Sequence, residues 1–239
     1  MDSVESTNAV LAAAARDGAP EGLVLLAETQ TQGRGRLDRT WDSPRGAGLT
    51  LSVLLRPAPP PSTWGWLPIA AGLALHAAVG HLSTLPLALK WPNDLLLGPD
   101  QGKAAGILAG SVDGAVVLGV GVNVSTTVDE LPEGATSLLV EGAGVSREAL
   151  LVELLLALEW RYAAWTRANG DAVLSGLMAA YRKSCSTIGR TVSIQLPHGE
   201  VLNGIAAGID PSGGLQVRTQ DGSLATVVAA DVVHVRPAD

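Results

Sequence analysis

Arg34, Arg36, Arg39 and Arg45 crowd into one short stretch of a chain whose formal net charge is -7. The first two alternate with glycine in Gln30-Thr31-Gln32-Gly33-Arg34-Gly35-Arg36. Glycine lets a backbone approach a ligand closely, and arginine offers a planar fork of donors matched to carboxylate and phosphate. An acidic chain with this loop has the makings of an anion cradle, most readily for phosphate. A solvated loop carrying charge for solubility is the plain alternative. The glycine–arginine alternation and the length of the polar stretch from Thr29 to Gly46 favour a binding role.

Lysine usage points the same way. The chain has only three lysines, Lys90, Lys103 and Lys183, so most of its cations are arginines. A lysine is a compact point charge on a flexible stem and fits where a guanidinium does not. In Lys90-Trp91-Pro92-Asn93-Asp94 the proline and asparagine suit a turn between two strands. A tight hairpin with a lysine on its rim would satisfy that pattern; a carboxylate beside a lysine also suits Mg²⁺ binding or the orientation of an incoming amine. Gly102-Lys103-Ala104-Ala105-Gly106 is not a phosphate-binding P-loop, because Gly98 and Gly102 stand too close and no Ser or Thr follows the lysine. Lys103 instead opens a strand and can aim its amine into a cleft. Gly119-Val120-Gly121-Val122-Asn123 lacks the third glycine and helix of a dinucleotide fingerprint; its glycines mark close approach of a ligand or backbone. His76, His81, His198 and His234 have no metal-ligand spacing, and the lone Cys185 reads as a small buried residue.

The elements that must carry these residues follow from periodicity and punctuation. Ser6-Thr7 caps a short alanine-rich helix ending near Gly18. Strands are expected over Leu23–Glu28, Gly48–Arg56, Leu87–Trp91, Asp94–Leu97, Ala104–Val112 and Ala115–Val122. Thr63 is expected to cap a long apolar helix to about His81, Ser146 another to about Thr166, and a third helix spans about Ala172 to Arg182. These make a core of helices on one side of a mixed sheet. After Ser186 apolar and polar residues alternate in five short runs (Arg190–Leu196, Val201–Ala207, Leu215–Thr219, Leu224–Val228, Val232–Val235) separated by turns such as Pro197-His198-Gly199, the pattern of a small β-barrel. The expected division is a core of residues 1–186 and a barrel of residues 187–239. The 239 residues and 47% apolar content allow a sizeable core, although Phe is absent. The acidic balance argues against nucleic acid as a main partner. A start without a basic flank or apolar run, and apolar stretches too short to cross a bilayer, lead to the expectation of a cytoplasmic protein without membrane contact.

Ser6-Thr7-Asn8, Gly33-Arg34-Gly35-Arg36, Lys90-Trp91-Pro92-Asn93-Asp94, Lys103-Ala104-Ala105-Gly106-Ile107-Leu108 and Gly119-Val120-Gly121-Val122-Asn123, in that order, resemble the biotin protein ligases over nearly the whole chain. The resemblance implies an α+β catalytic core like that of class II aminoacyl-tRNA synthetases, a mixed β-sheet with helices packed on one side, plus a small C-terminal SH3-like β-barrel. It implies biotin, ATP and Mg²⁺ as reactants, biotinyl-5′-AMP as intermediate, and a lysine of a biotin carboxyl carrier domain as acceptor. Carried onto this sequence, it assigns Lys103, Arg34, Arg36 and Asp94 to catalysis. Biotin falls to Ser6, Thr7, Asn8, Gln30, Gly33, Arg34, Gly35, Arg36, Lys103, Gly106, Gly119 and Gly121. ATP falls to Arg34, Arg36, Arg39, Trp41, Lys90, Asn93 and Asn123. No metal ligand is assigned, and a monomer or homodimer fits equally. Ser6 stands too near the start for a DNA-binding helix-turn-helix domain to precede it, so a ligase without repressor activity is expected. Leu37-Asp38 stands where some relatives carry Arg-Gly, which lowers the local positive charge. The nearest rival, a lipoate or octanoate transferase, usually shows an Arg-Arg-x-Gly-Gly-Gly pattern that this chain lacks. A non-catalytic biotin or nucleotide sensor would not need Lys103 or both arginines.

Overall fold

The computed structural model describes residues 1–36, 39–196 and 200–228, with the backbone of 231–234. The Leu37-Asp38 pair, the Pro197-His198-Gly199 turn and Val235 lie outside the described residues. In chain order, β1 (Ser3–Val4) precedes α1 (Thr7–Arg16), and β2 (Val24–Ala27) and β3 (Thr29–Gln30) follow; β1 and β3 pair in parallel. Gly18, at φ 83°, terminates the turn after α1 in the left-handed conformation that glycine adopts without strain. Next come β4 (Gly48–Leu55), α2 (Trp66–Leu82), β5 (Leu87–Lys90), β6 (Asp94–Leu97), β7 (Gly102–Val112) and β8 (Ala115–Asn123). Two helices, α3 (Arg147–Arg167) and α4 (Leu177–Ser184), complete the core. The last five strands are β9 (Thr191–Gln195), β10 (Val201–Ile209), β11 (Leu215–Arg218), β12 (Leu224–Val227) and β13 (Asp231–His234).

The main sheet has the order β2-β4-β8-β7-β6-β5. The α+β class holds, with two refinements. Every neighbouring pair in this sheet is antiparallel, and among the described residues parallel pairing is confined to β1–β3 and isolated bridges such as Leu89 with Cys185. The helices are also not all on one side. Leu49, Leu51, Val53 and Leu55 of β4, with Val116, Leu118, Val120 and Val122 of β8, join the buried cluster that α2 and α3 cover. Leu54, Ala115 and Val117 point the other way and pack with Leu11 and Ala15 of α1. Both strands are buried throughout their length, so each face needed its own cover. Each of the larger buried side chains contributes about 1.5–3 kcal/mol relative to exposure.

Two helix starts differ from expectation. Thr63 does not cap α2: its hydroxyl donates to the Pro60 carbonyl at 2.7 Å within a short 3₁₀ turn, and α2 begins at Trp66. The third helix does not run from Ala172. Asp171 accepts from the amides of Val173 and Leu174, and Gly176, at φ 79°, breaks the helical path before α4 starts at Leu177. Ser146 does cap α3, accepting from the Ala149 amide at 3.1 Å.

The last five strands form an antiparallel SH3-like sheet of order β12-β11-β10-β9-β13. Its apolar face, including Val192, Ile194, Leu215 and Val217, is continuous with the core beneath α2. No helix among the described residues is long and apolar enough to cross a membrane.

Candidate functional site

Residues directly opposed in a sheet place their side chains on the same face. One such row crosses four strands: Thr50 opposes Gly121, Gly121 opposes Gly106, and Gly106 opposes Asp94. The adjacent row runs from Ser52 through Gly119 to Leu108. Both rows lie on the α1 face. The glycines leave a floor without side chains, and a cleft of about 720 Å³, counted to its mouth, opens above it. Residues from the start of α1 line one end, and Arg34, Gly35 and Arg36 with Arg39, Thr40 and Trp41 line the roof.

A hydrogen-bond network organises the α1 end. Gln30 Oε1 accepts from the Thr7 amide at 2.7 Å and from Thr7 Oγ1 at 3.0 Å. Ser52 Oγ stands 2.8 Å from Thr7 Oγ1 and 2.6 Å from Asn8 Oδ1, and Asn8 Nδ2 donates to the Leu108 carbonyl at 3.0 Å. Ser6, Thr7 and Ser52 are all buried. Ser6 Oγ makes no cap bond to α1, although Ser6 occupies the N-cap position. This polar end offers both donors and acceptors at fixed positions.

The cationic loop folds back on itself. The Trp41 amide donates to the Gly33 carbonyl at 2.9 Å, Arg34 bridges Thr40, and the Gly35 amide donates to the Arg39 carbonyl at 2.6 Å. A Cβ on Gly33 would overlap the Trp41 carbonyl, so the close crossing requires glycine there. The Trp41 indole descends onto the floor: a Cβ on Gly121 would stand 2.5 Å from its Nε1, and one on Gly106 3.4 Å from its Cζ3.

Opposite the loop, Lys103 Nζ and Asp94 Oδ1 form an ion pair at 2.8 Å, and the same ammonium lies 5.9 Å from the Trp41 ring centre. A register shift between Leu95 and Leu96 inserts Ala104 as an extra residue in β7. That bulge brings Lys103 round to the face of Gly106, where a Cβ would lie 3.6 Å from Nζ. Among the described residues, Arg34, Arg36, Arg39 and Lys103 thus line the cleft together with one carboxylate, Asp94. Burial pushes the Arg36 guanidinium below its ordinary pKa, partly opposed by Asp94. Burial likewise pushes the Lys90 ammonium down, again opposed by Asp94. A guanidinium remains charged at neutral pH even so. Desolvated cations in such excess favour an anionic occupant.

Most of the expected site residues come together here. Ser6, Thr7, Asn8, Gln30, Arg34, Gly35, Arg36, Arg39, Trp41, Asn93, Asp94, Lys103, Gly106, Gly119 and Gly121 all line the cleft. Three do not. Gly33 serves the loop crossing, the buried Asn123 amide donates to the Thr136 carbonyl at 3.0 Å, and Lys90 borders a separate narrow slot with Asn93, Asp94 and Tyr181. Sequence reasoning missed Thr40, Thr50 and Ser52. The last two had a signal: hydroxyls at alternate positions in the otherwise apolar run Leu49-Thr50-Leu51-Ser52-Val53. Among the described residues no three His, Cys, Asp or Glu side chains gather into a metal site.

Fold and site together define an α+β core with a cation-lined, glycine-floored cleft, joined to an SH3-like domain. Residues 1–126 match the biotin/lipoate A/B protein ligase family, and residues 187–235 match the biotin protein ligase C-terminal domain. The biotin–[acetyl-CoA-carboxylase] ligase of Mycobacterium tuberculosis is 45% identical over 97% of this chain and 86% of its own length. The bifunctional ligase/repressor BirA of Bacillus subtilis is 31% identical over 97% of this chain and 72% of its own. The biotin protein ligase of Aquifex aeolicus, solved with biotin and ATP, superposes with a TM-score of 0.81 at 25% identity, covering 98% of this chain and 97% of that one. The chain belongs to the biotin/lipoate A/B protein ligase family, on its biotin protein ligase branch.

Proposed function

We propose that this protein is an ATP-dependent biotin ligase acting on a lysine of a biotin carboxyl carrier domain of a carboxylase, in the cytoplasm where ATP and such a carrier meet. The observation that carries this reading is the lining, among the described residues, of four cations and one carboxylate above a floor of glycines. Two anions, a biotin carboxylate and the α-phosphate of ATP, repel each other in water; fixed cations at both remove that barrier.

In the first step a biotin carboxylate oxygen attacks the α-phosphorus, the bond to the β-phosphate oxygen breaks, and pyrophosphate leaves. Arg34 and Arg36 neutralise the phosphates, and Lys103 sits between carboxylate and α-phosphate. In the second step the carrier's lysine amine attacks the acyl carbon, AMP leaves, and the amine's proton is released. Asp94 orients that amine. Thr7, Asn8, Gln30 and Ser6 hold the ureido head group; Gly106, Gly119 and Gly121 admit the ring, with Gly35 giving the loop its close approach. The ring and the Trp41 indole claim the same floor, so binding moves the indole outward to cover the ligand. Arg39 and Asn93 extend the lining toward ATP. Lys90 adds positive charge beside Asp94, and Asn123 acts by tying β8 to the Thr136 segment. Asp94, the carboxylate among the described lining residues, would be the group to hold Mg²⁺, which would supply charge neutralisation at the phosphates. Residues 1–186 form the catalytic unit and 187–239 the SH3-like unit.

Mass spectrometry of a purified carrier domain after incubation with biotin, ATP and this protein tests the reading. One biotinyl adduct on lysine is expected, dependent on ATP. An unmodified carrier, or preferential attachment of lipoate, would refute it.

A further inference from the structure

Two tryptophans of the catalytic unit donate into one turn of the SH3-like unit. The Trp66 indole, at the start of α2, donates to the Pro211 carbonyl at 2.8 Å; the Trp91 indole donates to the Gly213 carbonyl at 3.1 Å. Both rings are buried. The receiving turn is internally braced: Asp210 Oδ1 accepts from Ser212 N, Ser212 Oγ and Gly214 N, each at 2.8 Å. Backbone meets backbone at the contact. A Cβ on Gly213 would stand 2.9 Å from the Gly65 carbonyl, and one on Gly65 would overlap the Ser212 carbonyl. A braced turn seated this closely has little freedom to shift.

Trp91 begins the turn that carries Asn93 and leads into Asp94. Its amide donates to the buried Thr187 Oγ1 at 3.0 Å, and one residue pair earlier the Leu89 carbonyl accepts from the Ser186 amide at 2.8 Å. The far side of the turn is fastened to β7: Asn93 Nδ2 donates to the Ile107 carbonyl and the Ile107 amide to the Asn93 carbonyl, both at 2.9 Å. Among the described residues, none that lines the cleft belongs to the SH3-like unit. From these contacts we infer that Trp91 and the Asp210–Gly214 turn are positioning elements: the SH3-like unit sets where Asn93 and Asp94 stand in the cleft. This rests on the ligase reading given above.

Trp91→Phe and Trp66→Phe separate positioning from packing. Each keeps an aromatic ring and removes one indole donor to the same turn, but only Trp91 is chained to Asn93 and Asp94. Both variants should melt at similarly lowered temperatures. Trp91→Phe should slow biotin transfer to a carrier domain at saturating substrates on the order of tenfold, with biotin affinity by calorimetry unchanged. It should also speed amide exchange across Trp91–Leu95. Trp66→Phe should leave turnover and that exchange as in the natural chain. Asp210→Ala, which removes the acceptor of all three bracing bonds and loosens the turn from the other side, should reproduce the slowing. Equal slowing by both tryptophan variants, or none by Trp91→Phe, overturns the inference. A natural chain that transfers no biotin defeats the ligase reading instead, and amide exchange then still decides the positioning.

Discussion

Lys103→Ala is expected to lower the rate of adenylate formation by about 10²–10³-fold, the usual loss when one fixed electrostatic partner of a transition state is removed. The ammonium is held in place by Asp94 at 2.8 Å. The bulge in β7 delivers it to the floor of the cleft. Its charge is therefore preorganised where carboxylate and phosphate must meet, and no solvent reorganisation is needed to bring it there. Pyrophosphate release in the presence of biotin and ATP reads the effect directly. Lys183→Ala, on the exposed face of α4, is the matched control and should leave the rate unchanged. A Lys103→Ala enzyme with full pyrophosphate release would remove Lys103 from the chemistry.

Gly119→Ala is expected to weaken biotin binding by about 2–3 kcal/mol, on the order of 30- to 150-fold. The added Cβ would overlap Asn8 Oδ1 and stand 2.9 Å from Asn8 Cγ. Asn8 cannot yield without cost, since it is tied to Ser52 at 2.6 Å and to the Leu108 carbonyl at 3.0 Å. Displacing it breaks both bonds in a partly buried setting and disturbs the Thr7–Gln30 pair through the contact of Ser52 with Thr7. Gly110→Ala, in the same sheet with nothing within 4 Å of its Cβ, controls for the loss of a strand glycine. Titration calorimetry with biotin distinguishes the two; equal affinities for both variants would show that the network does not shape the site.

The longer strands were legible because their signals are local, whereas the two-residue β1 and β3 were not read. The runs around Gly48–Leu55 and Ala115–Asn123 are apolar and sharply punctuated, and Asp113-Gly114 marks the β7–β8 turn. The glycine–arginine loop and the Lys103 strand were legible because unusual residues stand in unusual places for an acidic chain. What escaped depends on tertiary contact. Nothing local tells that α1 and α2 lie on opposite faces: on the α1 side β4 and β8 offer only Leu54, Ala115 and Val117 to the packing, beside the hydroxyls and glycines of the cleft. Thr63 is a sound cap candidate whose hydroxyl is taken by Pro60. Gly176 interrupts what reads as a helix from Ala172, through a positive φ that its neighbours do not announce. The placement of Trp41 on Gly106 and Gly121 joins residues far apart in the chain.

The central claim, that fixed cations in this cleft unite biotin with the α-phosphate of ATP, is tested most directly without any acceptor. The protein is incubated with biotin, ATP and Mg²⁺, and the bound fraction is analysed by mass spectrometry. The cleft's lining predicts protein-bound biotinyl-5′-AMP with an equal amount of pyrophosphate released. Intact ATP and free biotin after that incubation, with the protein folded and both ligands bound, would contradict it.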